Sequence, residues 1–342
     1  MDASALAVFD HHMTADQTIL VATAMRNEGP FIVEWVCWYR MLGFEILVTT
    51  NDCTDHSTQL LDALAEAGWL KHVQHQPHAD EPPKLSAYRA WKREPLFKSA
   101  DWVLTCDVDE FLVLHKHNTI AEFLGPPPHD FRAIAFSWKC FGTGNREIYQ
   151  DGWVHRQFQR CGLGHLRINR SFKSIVRSPT DFTRPGAHFP HNLKTGAWTE
   201  PANRVLQPNG TVLPQFQDAG SHPIRFLEHD QISHDVAQMN HYITRTPDSY
   251  ALKKGQPCAS ALHDRYTDKF FEKHNRNGMV DQSAQRSALV FKELHNAAMQ
   301  TPNVKRLHHL CCADYVRALN KNAGTDAAID DRLLHHLDKA GL

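Results

Sequence analysis

Residues 19–114 alternate short apolar runs with amphipathic stretches, and that alternation narrows the folds open to the chain more than any other feature. Residues 19–24 read as a buried strand that breaks at Arg26-Asn27-Glu28-Gly29-Pro30. Phe31, Ile32, Trp35, Val36, Tyr39 and Leu42 then recur at helical spacing, with Pro30 suited to a first turn and Gly43 to a C-terminal cap. Residues 44–50 return to strand. The polar loop Asn51-Asp52-Cys53-Thr54-Asp55 follows, and residues 57–67 read as a helix capped by Ser57 and stopped at Gly68. Residues 69–73 form a third strand, and a helix over 85–98, bent or split at Pro95, leads to a fourth apolar run. Strands and helices in strict succession predict an α/β fold, a mostly parallel Rossmann-like sheet with helices on both faces.

The fourth run is interrupted by acid. Asp107, Asp109 and Glu110 stand between Trp102-Val103-Leu104-Thr105-Cys106 and Phe111-Leu112-Val113-Leu114. Ionised carboxylates among apolar strand residues need their charge compensated, and a divalent cation can hold several at once. In an extended chain Asp107 and Asp109 project from one face, about 7 Å apart at Cα, and Glu110 points away. Ligands of parallel sheets bind beyond the carboxyl ends of the strands. Arg26-Asn27-Glu28, Asn51-Asp52 and Asp107 with Asp109 each follow a predicted strand, so three polar groups share one rim. A solvated loop would explain any one of them; their convergence favours a metal site.

With 342 residues, 42% hydrophobic and 22% charged, the chain can bury a sizeable core as one large or two modest domains. A formal charge of −1 offers no basic stripe and argues against nucleic acid as a partner. The eight cysteines include no Cys-x-x-Cys pair, which argues against a zinc ribbon, and Cys37, Cys53 and Cys106 read as core residues in a reducing compartment. The first 16 residues lack the pattern of a secretory signal, and no window of about 18 residues is apolar enough to span a bilayer. These readings suggest a cytoplasmic protein, with peripheral membrane contact and oligomeric state left open. The expected divisions are an arm at 1–16, an α/β domain at 17–280 and a helical C-terminal extension at 281–342, the last from helical patterns at 284–299 and 304–323.

Several pieces resemble a known family in order and approximate spacing over residues 18–280. They are Arg26-Asn27-Glu28 with Glu34-Trp35, the 51–55 loop, Asp107-Val108-Asp109-Glu110-Phe111, Trp138 with Phe141-Gly142, and Arg156-Gln157-Phe158. Lys173-Ser174-Ile175-Val176, His188 and Asn240-His241-Tyr242, followed by Tyr250 and Lys253, complete the set. Together they resemble the family-2 glycosyltransferases of GT-A fold, particularly the branch related to family 92. The resemblance implies transfer of a sugar, with inversion, from a nucleotide-diphosphate donor to a hydroxyl acceptor on a glycan, glycolipid or other glycoconjugate. It implies that Asp107 and Asp109 hold Mn²⁺ or Mg²⁺ against the donor's diphosphate, with His241 as a further ligand that tilts the choice toward Mn²⁺. By the same likeness Asn51, Asp52 and Asp55 face the base and ribose, Arg26, Asn27 and Glu28 fix the nucleotide or brace their loop, and Lys173 and Lys253 contact phosphate.

The late Glu-Asp pair that many inverting members use has no counterpart here, so Asp109, Glu110, His188 and Asp230 stand as candidate acid–base residues. Trp138 or Trp198 could stack on a sugar ring. Two alternatives stay open. One is a metal-dependent phosphohydrolase using Asp107 and Asp109, against which stands the absence of a small hydroxyl residue after the pair. The other is a noncatalytic protein that binds nucleotide-sugars or glycans.

Overall fold

The computed structural model describes residues 17–217, 224–256, 258–260 and 262–342, so the arm at 1–16 lies outside the described residues. Strands β1 (Ile19–Met25), β2 (Glu45–Thr50), β3 (Lys71–Gln74) and β4 (Trp102–Thr105) stand parallel in the order β3-β2-β1-β4. Their crossovers are helical: α1 (Gly29–Met41), α2 (Ser57–Glu66), and α3 (Pro83–Arg93) with the short α4 (Pro95–Ser99). The break between α3 and α4 falls at Glu94, which takes extended dihedrals (φ −68°, ψ 132°) because the ring of Pro95 excludes the helical ones.

Both faces of this half-sheet are covered, and the strand residues alternate between two cores. Ile19, Val21, Ile46, Val48, Trp102 and Leu104 pack with Trp35, Val36 and Tyr39 of α1 and Leu60, Leu61 and Leu64 of α2. The intervening Leu20, Ala22, Leu47 and Val103 pack with Tyr88, Trp91 and Phe97 of α3 and α4. Burial on both faces is why these strands read as continuous apolar runs. The α/β class with its mostly parallel sheet is borne out.

The fourth run departs from expectation. It is two strands and not one: β4 stops at Thr105, residues 108–109 turn, and β5 (Glu110–Leu114) leaves to another part of the sheet. Beyond β4 the sheet continues through β6 (Ala133–Cys140), β7 (Phe172–Arg177) and β8 (Ala237–His241), in the order β4-β7-β6-β8-β5. β7 is antiparallel to both β4 and β6; β8 is parallel to β6 and antiparallel to β5. That register sets His241 opposite Glu110 on one side and Cys140 on the other, so the late histidine is carried to the acids by the ladder.

After β8 come the short α5 (Pro247–Ala251), then α6 (Ala288–Gln300), α7 (Val304–Ala323) and α8 (Asp331–Ala340). The first two C-terminal helices match the sequence reading closely, and α8 was not anticipated. Phe291, Leu294 and Ala298 of α6 and Cys311, Val316 and Leu319 of α7 belong to the same core as Trp35 and Trp38 of α1. Gly29 is glycine for this packing: a Cβ there would collide with Cys311. Glu34 of α1, buried, accepts from Val154 N (2.7 Å), His155 N (3.1 Å) and His155 Nδ1 (2.7 Å), fixing the loop that lies over α1. No helix among the described residues is long and apolar enough to cross a membrane.

Phe291 is fully buried, with its ring 5.9 Å from that of Trp38. Phe291→Ala is therefore expected to cost about 3–5 kcal/mol in urea unfolding of the whole chain. Loss of the C-terminal helices alone, with the sheet melting unchanged, would contradict a shared core.

Candidate active site

The strand order reverses between β1 and β4, and a doubly wound sheet opens a crevice at such a point, beyond the strands' carboxyl ends. Asp107 to Glu110 form a turn there. Glu110 N donates to Asp107 O (3.0 Å), and Asp107 N donates to Glu110 Oε2 (2.8 Å), so the turn is closed once by backbone and once by side chain. Helix α1 braces it: Trp35 Nε1 donates to Asp107 O (3.1 Å) and the Tyr39 hydroxyl to Glu110 O (3.1 Å). The turn ends the strand alternation, so Glu110 does not face away as an extended chain requires. It joins Asp107 on a shared partner.

That partner is Lys173 of β7, whose Nζ lies 3.0 Å from Asp107 Oδ2 and 2.9 Å from Glu110 Oε2. Lys84, in the first turn of α3, reaches Asp107 Oδ1 at 2.5 Å, and Lys253 reaches Asp109 Oδ2 at 3.3 Å. Burial works against the charged forms, but these pairings outweigh it: Asp107 is held well below the usual carboxylate range by Lys173 and Lys84, and Asp109 falls to about 2 through Lys253 and His241. Lys84 and Lys173 rise for the same reason. For Glu110, burial pushes up and Lys173 pulls down; Asp107 and Asp109 push up again, and the result is about 7. Its Oε1 is buried without a hydrogen-bond partner among the described residues.

Two histidines border the acids. His241 Nε2 is 3.7 Å from Asp109 Oδ1, and burial drives its pKa to about 3 against the pull of Asp109, so the ring is uncharged. His188 Nδ1 lies 2.8 Å from Phe172 O; burial, helped by Lys173, lowers it to about 4. The Trp138 ring contacts both, with centroids 4.0 Å from His241 and 5.6 Å from His188. Trp198 instead packs against Phe182 and Phe189, at 6.0 and 5.5 Å, as part of a separate apolar cluster.

The remaining nominated residues take other roles. Asn27 accepts from Thr54 N (2.8 Å) and donates to Thr54 Oγ1 (3.0 Å), tying the first rim loop to the second. Arg26 is exposed. Glu28 pairs with Arg245 (3.0 Å), whose guanidinium lies 3.4 Å over the Phe31 ring, so its charge is already compensated. Asn51 donates to Asp52 Oδ2 (2.9 Å), and Asp52 sits at φ +49°. Asp55 accepts from Ser57 N (3.0 Å) and Ser57 Oγ (2.9 Å), doing at the start of α2 the capping expected of Ser57. Asp230 is exposed on a one-turn helix whose neighbours bind elsewhere, Glu228 to Arg170 and His229 to His165 O. It is not gathered into the cluster.

Lys84 and Arg245 were not foreseen. A lysine in the first turn of a helix opposes the helix dipole, so Lys84 carried a readable sign that an anion lies nearby. Asp109 and uncharged His241 make an oxygen–nitrogen pair that suits a divalent cation, whereas Asp107 is held between two ammonium groups. Lysines that neutralise carboxylates can also bind phosphate oxygens.

No protein-family model and no curated protein matches the chain. Among solved structures it is similar to S. aureus TarS 1–349, at 15% identity and a TM-score of 0.35, covering 94% of this chain and 88% of that one. The same TarS fragment in complex with UDP-GlcNAc has equal identity and coverage with a TM-score of 0.32. The galactosyltransferase LgtC, in complex with donor and acceptor sugar analogs, is 11% identical with a TM-score of 0.30, covering 85% of this chain and 100% of that one.

Buried uncharged histidines make acid stability a test of the site. His188 and His241 titrate at about 4 and about 3 in the fold, against 6.5 when exposed. Below about pH 6.5 the unfolded chain binds protons that the native one refuses, so stability falls as pH falls from about 6.5 to about 4. Glu110, raised to about 7, and His308, raised by Cys312 and Asp151 against its burial, oppose this trend. His274, His295 and His309, each lowered to about 4 by burial, add to it, and Asp109 contributes only as pH drops toward about 2. A melting temperature that declines steadily from neutral pH to about 4.5 is expected; a flat profile would contradict the burial of these rings.

Proposed function

We propose that the chain is a glycosyltransferase of GT-A fold that moves a sugar from a nucleoside-diphosphate donor to a hydroxyl of a glycan, glycolipid or other glycoconjugate. One observation carries the reading: Lys84, Lys173 and Lys253, from distant parts of the chain, converge on Asp107, Asp109 and Glu110 at the point where the strand order reverses. Without donor the two sets neutralise each other. A diphosphate would draw the lysines to its oxygens while a divalent cation takes the carboxylates, so both sets stay compensated.

Asp107, Asp109 and His241 are the residues that would hold Mn²⁺ or Mg²⁺. Once bound, the ion supplies neutralisation of the charge on the departing nucleoside diphosphate. Lys84, Lys173 and Lys253 orient the diphosphate, and the loop tied by Asn27 and Thr54, with Asn51 and Asp52, borders the nucleoside. His188 is the proton acceptor for the acceptor hydroxyl: its Nδ1–H is engaged with Phe172 O, which leaves the Nε2 lone pair without a hydrogen-bond partner among the described residues. Direct displacement with that base inverts the anomeric centre. In this reading residues 17–280 are the transferase domain, 281–342 a helical extension, and the enzyme works on the cytoplasmic side.

Thermal-shift measurement with nucleoside diphosphates, with and without Mn²⁺, tests the proposal, because a ligand of the native state raises the melting temperature by mass action. At least one nucleoside diphosphate is expected to stabilise the protein in Mn²⁺ only, and Asp109→Asn to remove the effect. Equal stabilisation in chelator would refute the metal bridge. Release of phosphate from simple phosphomonoesters would favour a phosphohydrolase. Lys253→Ala is expected to weaken donor binding roughly 10- to 100-fold by titration calorimetry, as loss of a charge-assisted hydrogen bond does.

A further inference from the structure

A second cluster of ligand-type side chains lies outside the carboxylate–lysine site. His308 and Cys312 stand one turn apart on the same face of α7, both buried, and Asp151 reaches them from the loop between β6 and β7. His308 Nε2 is 3.5 Å from Asp151 Oδ1 and 3.6 Å from Cys312 Sγ, and all three ligand atoms lie within 4.8 Å of one another. The Asp151 side chain is 33% exposed, which gives the cluster an opening to solvent.

Cysteine, histidine and aspartate in contact suggest a nucleophile relay first. A relay divides the two ring nitrogens, one to the thiol and the other to the carboxylate. Here a single nitrogen faces both, and His308 Nδ1 is buried without a partner among the described residues. The separation from Asp151 is also longer than the roughly 2.7–3.2 Å of a good hydrogen bond. The distances suit coordination better: with Zn–S of about 2.3 Å and Zn–N or Zn–O of about 2.0–2.2 Å, tetrahedral edges come to about 3.6 Å for S···N and about 3.4 Å for N···O.

We propose that Asp151, His308 and Cys312 bind a Zn²⁺ ion that clasps the 151 loop to α7, with solvent in the fourth position on the open side of Asp151. Binding takes the thiolate of Cys312 and the neutral imidazole of His308, whose charged form Cys312 and Asp151 favour against its burial before the ion binds. Thiol and ring therefore each release a proton to solvent as the ion takes its place. A thiolate and an imidazole favour Zn²⁺ over the hard cations expected at the sheet rim. His309 and His336 form a second group of three with the same carboxylate, but their Nδ1 atoms are 3.1 Å apart and satisfy each other as a hydrogen bond. They flank the ion without holding it.

The test uses the full chain with metal alone. Elemental analysis of protein purified with Zn²⁺ is expected to find one equivalent, and Co²⁺ replacement is expected to give the near-ultraviolet thiolate-to-cobalt band. Cys312→Ser should abolish the band, and Asp151→Asn, at a partly exposed position, should weaken metal retention while the fold persists. Asp109→Asn should leave the band intact, because the rim carboxylates offer no thiolate. Absence of the band in the unaltered protein, its survival in Cys312→Ser, or loss of metal in His336→Gln with retention in Cys312→Ser would overturn the assignment.

Discussion

Three carboxylates at the end of a buried strand are tolerable only because three ammonium groups are brought to them, and much of the architecture serves that meeting. Lys84 arrives at the start of α3, Lys173 on β7 and Lys253 just after α5. Each element is fixed by its own packing, so the compensation is imposed by the fold and not negotiated at the surface. A buried pair deprived of one member leaves an unpaired charge, typically worse than an apolar replacement of both. The cluster is thus costly to build and strongly specified once built.

Glu110 holds the arrangement together. One of its oxygens closes the turn through Asp107 N and binds Lys173, while the other has no hydrogen-bond partner among the described residues. Extended geometry turns the residue away from Asp107 and Asp109 as an acid–base candidate, and the fold instead makes it the latch of the turn that presents them. Raised to about 7, its carboxyl sits near the middle of the neutral range, where its ionisation trades against the charge of its neighbours. A latch of this kind separates the task of shaping the loop from the task of meeting a ligand.

Much of the first half was legible because its signals are local. Two-sided burial leaves continuous apolar runs, helical spacing marks α1 and α2, and Pro95 marks the break before α4. The reversal at residues 108–109 was hidden, because a side chain three residues along closes the turn and no Gly or Pro announces it. For the same reason the direction of Glu110 was misjudged. Asp55 was read as facing a nucleotide, but a carboxylate two residues before a helical serine has a nearer use as a cap. His241 could be nominated only by family likeness, since its nearness to the acids is created by strand pairing across 131 residues of sequence, from Glu110 to His241.

His241 is located by hydrogen-bonded register with β5 and β6, and the segment between β7 and β8 meets that ladder at a few points, Val205 and Leu206 beside the start of β6 and Ser233 and His234 against Ser137 and Trp138. Between those points, and away from His188, the excursion from residue 178 to residue 236 can change length and shape without moving His241 relative to the acids. A molecule wired in this way can acquire a new surface toward whatever approaches from that side while its charged centre stays as it was. Change in selectivity then falls on the outer turns of this excursion, while the chemistry stays with the ladder and with His188.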